Sequence, residues 1–192
     1  LTAAGVQAAP VLQELLRMGS PLVREVAADS LGAVGGTMAV APLADHLAGE
    51  ADIDVVVSIA QRLGKTPTRR AMHTLIELIE RQHEDITIAA LDALKKFGRS
   101  LAVGDVIQGC LDDPSWRVRA AAVKCLAATG DAELAPLVVA RLDDGDSFVR
   151  QAAAQALQRL KPAGHLEAIE AAYVAHPDMR PQLLLLMAES GE

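Results

Sequence analysis

The chain has 192 residues, 36 of them Ala and 26 Leu, and only four aromatics, Phe97, Trp116, Phe148 and Tyr173. Two strong helix formers thus supply about a third of the sequence, which argues against a β-sandwich and against an aromatic-lined cofactor or nucleic-acid cleft. Half of the residues are hydrophobic and the net charge is -7, which describes a folded chain whose overall field repels phosphate backbones and anionic membranes.

Taken in chain order, the apolar periodicity and turn residues predict helix pairs at 3–18 with 21–34, 38–48 with 53–63, 67–82 with 85–97, 101–112 with 115–128, 132–142 with 147–160, and 164–175 with 178–189. Ala-Pro-aliphatic segments at Ala9-Pro10-Val11, Ala41-Pro42-Leu43 and Ala135-Pro136-Leu137 mark first helices. Second helices share a pattern: Pro21-Leu22-Val23-Arg24 runs to Gly35, Ser115-Trp116-Arg117-Val118-Arg119 to Gly130, and Asp146-Ser147-Phe148-Val149-Arg150 to Lys161, with acidic turns at Gly49-Glu50-Ala51-Asp52, Asp112-Asp113-Pro114 and Asp143-Asp144-Gly145-Asp146. From Gly35 to Lys161 the mean period is 31.5 residues. In the turns, Asp supplies an N-cap acceptor and Pro114 suits a first helical turn, while a terminal Gly suits a left-handed C-cap. A lone helix pair buries too little to offset roughly 1 to 2 kcal/mol of backbone entropy per residue, so the pairs must stack and share their cores.

Acidic turn, Val-Arg, Ala-rich stretch, Leu and Gly at this period resemble the HEAT-like repeat of phycobilisome lyases, over residues 8 to 161 and most sharply in the fourth and fifth pairs. The resemblance implies an all-α fold, an α-α superhelix: a right-handed solenoid of about six antiparallel helix pairs whose second helices line a concave face. It treats residues 1–192 as one repeat domain. The opening Leu-Thr-Ala-Ala, without Met, reads as a piece of a longer protein rather than a secretory leader.

The repeated Arg24, Arg119 and Arg150 read as partners of turn carboxylates such as Asp113 and Asp146, since the guanidinium fork matches a carboxylate. The resemblance implies the same Asp-Arg ladder. Units two and three lack this Arg, so the ladder is expected to break there. Residues 61–100 hold 8 basic and 5 acidic side chains, against the acidic balance on either side. Arg62, Lys65, Arg69 and Arg70, with Lys95, Lys96 and Arg99 one unit on, are candidates for an anion-binding patch; dipole complementarity at helix C-termini is the competing account.

No catalytic, metal or cofactor constellation emerges from the five histidines or the two cysteines. The His83-Glu84 pair stands alone and ahead of the Val-Arg position, which argues against the di-iron site of deoxyhypusine hydroxylases. Cys110 and Cys125 read as core residues of a reduced, cytoplasmic protein. The run from Ser30 to Ala44 is too short and too broken to span a bilayer.

Recognition by surface remains. Leu22, Arg117 and Phe148 share one repeat position, which the resemblance turns toward the concave face, and Trp116 adjoins it; these four are the partner-binding candidates, with the alternative that Trp116 and Phe148 cover the turn between units. The expected function is a non-enzymatic scaffold, without cofactor, that presents this face to a protein or peptide. The alternatives are a chromophore-lyase-like subunit acting with a partner, and nucleic-acid binding through the central basic patch, which the net charge disfavours. Residues 183–188 are apolar on more than one face, which suits further repeats or a dimer contact.

Overall fold

The computed structural model describes residues 3–98, 101–160 and 165–190, and in them the chain forms twelve α-helices. It divides into two compact units, Leu1–Phe97 and Gly98–Glu192. The first holds α1 (Ala3–Met18), α2 (Pro21–Gly35), α3 (Val40–Leu47), α4 (Ile53–Gly64), α5 (Arg69–Ile79) and α6 (Glu84–Leu94). The second holds α7 (Leu101–Cys110), α8 (Trp116–Thr129), α9 (Ala135–Val139), α10 (Ser147–Leu160), α11 (Leu166–Ala175) and α12 (Arg180–Ser190).

In the first unit α2 packs on α1 and on α4, and α4 on α6, so second helices form one layer; α3 joins α1 and α5 in the other. In the second unit α8 packs on α7 and α10, and α10 on α12. The second helices come close because small side chains face their neighbours: Ala28, Ala60, Ala90, Ala122 and Ala153 are fully buried. Leucine and isoleucine fill the remaining space, Leu31, Ile59, Leu63 and Leu91 in the first unit and Ile107, Leu126 and Leu157 in the second. No aromatic side chain is among the buried hydrophobic residues.

Three local expectations change. Pro114 lies outside α8, whose N-cap is Ser115 with its hydroxyl accepting from the Arg117 N–H at 3.2 Å. Gly130 is the expected left-handed cap (φ 67), but Gly35 is still right-handed and the positive φ of 51 falls on Gly36. Gly64 ends α4 for another reason, since a Cβ there would lie 2.7 Å from the Ala93 Cβ and 2.8 Å from its Cα. It is a close-approach glycine between α4 and α6.

The first helices are less regular than the periodicity predicts. The 132–142 helix is only five residues of α-helix between two 3-10 turns, Ala132–Leu134 and Ala140–Asp143, and a 3-10 turn at Gly36–Ala39 precedes α3. Prolines near both starts, Pro42 and Pro136, withhold an N–H from the first turn. By length and composition the helical run Pro21–Leu47 could cross a membrane. It turns at Gly36, however, and both halves pack within the unit, α2 on α1 and α4, and α3 chiefly on α4 and α5.

Candidate partner-binding face

The acidic turns position everything at the start of the second helices. In the fifth pair, Asp146 accepts from the Phe148 N–H at 2.8 Å, and in the fourth Asp113 accepts from the Ser115 N–H at 2.8 Å. The carboxylates expected to pair with Arg119 and Arg150 are thus used as turn and cap acceptors. The arginines reach forward instead. Arg24 grips Glu50 through Nε at 2.6 Å and Nη2 at 2.9 Å, Arg119 grips Asp144 with both bonds at 2.9 Å, and Arg150 reaches Asp178 at 2.9 Å. Each Nη1 donates to carbonyls of its own turn, Gly19, Asp113 and Pro114, or Asp144 and Gly145. One guanidinium therefore ties its own turn to the turn of the next pair.

Burial alone would raise the Glu50 carboxyl, but the Arg24 fork, the Asp52 N–H and His46 outweigh it and hold the group at about 2. Asp144 is lowered in the same way by Arg119 and the Asp146 N–H against its burial. Arg150 holds Asp178 low at an exposed site.

The expected break in the ladder is bridged by a residue the sequence reading missed. Val56 stands where Arg24 would recur, and Arg81 stands in the next turn in place of a carboxylate. Arg81 reaches back across the seam, donating to the Glu50 carbonyl at 3.2 Å and to the Leu47 carbonyl. Arg141 likewise reaches back, to the Leu111 carbonyl at 3.1 Å and the Asp112 carboxylate at 3.0 Å. A basic residue late in the first helix or its turn is the sequence signal for such a bridge.

Trp116 and Phe148 meet across the seam between α8 and α10, their rings stacked with centroids 5.0 Å apart and planes at 23°. They are 40% and 60% exposed, so an apolar pair stands in solvent at the first turns of adjacent second helices. Arg117 beside them is exposed. Leu22, at the matching position in the first unit, is 68% exposed.

The basic candidates are partly engaged. Arg62 donates to Asp29 at 2.6 Å, where Ser58 also donates, Arg70 pairs with Asp45 at 2.5 Å, and Lys95 pairs with Asp92. Lys65, Arg69 and Lys96 are exposed, and Arg99 lies outside the described residues. On α12, Leu183 and Leu186 are buried while Leu184 and Leu185 are about half exposed, so the 183–188 run divides between core and surface. Both cysteines are buried, and burial, with the Asp113 charge, pushes the Cys110 thiol up to about 11. Among the described residues no three His, Cys, Asp or Glu side chains cluster to hold a metal.

Stacked helix pairs, an Ala-Leu seam and arginines tying successive turns define a helical-repeat protein. Residues 103–182 match the family of HEAT repeats. The bilin biosynthesis protein PecE of Mastigocladus laminosus is 30% identical over 158 residues, which cover 82% of this chain and 57% of that protein. The chain therefore spans little more than half the length of that relative. Two solved structures are similar in fold: an engineered protein, 19% identical with a TM-score of 0.59 over 93% of both chains, and the complex of CpcE and CpcF of phycocyanin lyase from Nostoc sp. PCC7120. The latter is 23% identical with a TM-score of 0.55, over 97% of this chain and 83% of that one. The chain belongs to the HEAT-like repeat family, with repeats of the phycobilisome-lyase type.

The PecE match speaks against the expectation of a non-enzymatic module, because a relative 30% identical over most of this chain is a bilin biosynthesis protein. Composition carries no sign of this, since a repeat fold by itself implies no one activity.

Proposed function

We propose that the chain is a repeat subunit of a chromophore-lyase-type enzyme, acting together with a protein partner on a bilin-bearing protein. The observation that carries this reading is the 30% identity to PecE over 158 residues. The fold it shares with the CpcE–CpcF complex of a phycocyanin lyase supports a two-protein arrangement. In this reading the chain supplies a rigid surface that orients a partner and an acceptor, and the exposed first turns of second helices, at Leu22, Trp116, Arg117 and Phe148, are the contact points.

The test is bilin attachment. Apo-phycocyanin and a free bilin are mixed with the chain, with and without a second HEAT-like repeat subunit, and covalent addition is followed by intact mass and visible absorbance. Attachment faster than in the chain-free mixture is expected when both subunits are present. A rate equal to the chain-free mixture in every combination rejects the reading.

A further inference from the structure

The first helix pair is apolar on the side that it turns away from the second. Gln13 and Leu16 of α1 line a cleft shared with Pro42 and His46 of α3, whereas Val11, Leu15 and Met18, spaced four and three residues apart, follow one stripe on the other side of α1. On α2, Asp29 accepts from Ser58 and Arg62 of α4 and Gly32 lies against the Arg62 stem, while Val23 and Val26 turn away from Gly32. All five apolar side chains are exposed, Met18 by 77% and Val26 by 57%.

Register shows what these positions do in the other pairs. Val26 lies two residues after Arg24. Ser58, two after Val56, is buried and bonds back to Asp29 of α2. Ala89, at the same place in α6, is buried on one stripe with Ala93, which meets Gly64 of α4, and Ala152, two after Arg150, is buried in α10. Val26 is larger than any of these and open to solvent. Met18 stands two residues before the cap Ser20, as Glu50 stands before Asp52 and Arg81 before His83. Glu50 and Arg81 bind their pair to the preceding one with polar bonds. Met18 can make no such rung, so this side is an apolar contact face and not another seam of the ladder.

The five side chains expose on the order of 500 Å². That is the larger part of the roughly 800 Å² that each partner buries in a standard interface, and the exposed Leu22 and Glu14 border it.

We infer that the face formed by Val11, Leu15 and Met18 of α1 with Val23 and Val26 of α2 joins a second copy of this chain in an isologous contact. A face with no charge at its centre has no means of selecting a partner of opposite charge. What complements it is another apolar face, and a two-fold axis supplies one. Its Val, Leu and Met composition is that of homodimer interfaces, which are more apolar than other contacts. Two copies of a chain with net charge -7 repel each other through solvent, so the contact should tighten as salt rises. This inference stands apart from the lyase reading: it concerns the chain's assembly with itself and involves no bilin.

The experiment is sedimentation velocity on the whole chain over a wide range of concentration. The mass is expected to rise from 20.1 kDa to twice that value and to stop there, at lower concentration in high salt than in low. Met18→Glu and Val26→Glu should each weaken the dimer about tenfold or more, because each places an acid at the centre of the contact. Leu184→Glu, on the exposed side of α12, should leave it unchanged. Circular dichroism confirms that each variant is folded, as expected for changes at exposed positions. A single mass of 20.1 kDa at every concentration overturns the inference, as do folded Met18 and Val26 variants that associate like the parent. Assemblies that grow beyond two copies overturn it too, since they require a second, different surface. So does a chain that stays single alone and gains mass only with a second HEAT-like repeat subunit, or that floats with phosphatidylcholine vesicles.

Discussion

Arg24 holds Glu50, a carboxylate of the following helix pair, and only a carbonyl of its own turn. Glu50 in return accepts from the Ala51 and Asp52 N–H groups and meets His46 Nε2 at 2.8 Å, so the side chain is almost fully enclosed and fully bonded. Removing one partner leaves a buried charge without its counterion. Arg24→Ala, which strands the enclosed Glu50 carboxylate, should therefore lower the urea midpoint, and by more than Glu50→Ala, which leaves the better solvated guanidinium.

The same pair sets an acid limit. Glu50 is held at about 2, below its ordinary 4.5, so its folded carboxyl binds protons less readily than the unfolded one. Its contribution is complete above pH 4.5 and is lost as pH falls toward 2. Asp144, also lowered, acts in the same direction. Unfolding free energy measured across that window should fall with acid, and Glu50→Gln should flatten the slope; an unchanged slope would remove Glu50 from the account.

Arg81 replaces the missing rung in reverse. Arg81→Ala strands the Leu47 and Glu50 carbonyls at the end of α3 and should cost about 1 to 2 kcal/mol, a loss visible in the melting temperature. Arg81→Lys should recover little of it, because a single ammonium lacks the fork that spans both carbonyls.

Seams made of small residues do not tolerate growth. Ala122→Leu adds bulk at a site with no exposure, and Gly64→Ala drives a Cβ into Ala93. Each should destabilise by about 1 to 3 kcal/mol, the second in spite of the better helix propensity of Ala. Calorimetry of both variants checks this, and a melting temperature at or above the parent's would place the seams elsewhere.

Cys110 and Cys125 should resist thiol reagents in the native chain and react on unfolding. The cause at Cys110 is burial and the Asp113 charge, which withhold the reactive thiolate. Titration with a chromogenic disulfide at neutral pH distinguishes the two states.

Much of this protein is written in local pattern. Ala-Leu periodicity, capping residues and the recurring Val-Arg were enough to identify the helix pairs and their repeat class, because each is a short-range consequence of the chain's own geometry. The shared repeat position of Leu22, Arg117 and Phe148 was equally legible, though the sequence left open whether the rings face solvent or cover the turn. The likeness to a bilin biosynthesis protein was not, because no triad or metal spacing in the chain signals it.

What the sequence by itself determined is the all-α repeat and its period. Tertiary structure alone decided which partner each charge takes. Asp113 and Asp146 sit close enough in sequence to claim Arg119 and Arg150, yet backbone N–H groups of the same turn claim those carboxylates first. The guanidinium then reaches the carboxylate that stacking brings to it, as Asp144 is brought to Arg119 and Glu50 to Arg24. Stacking also set the Trp116 ring on Phe148, a contact between separate helices that the sequence of either one leaves open.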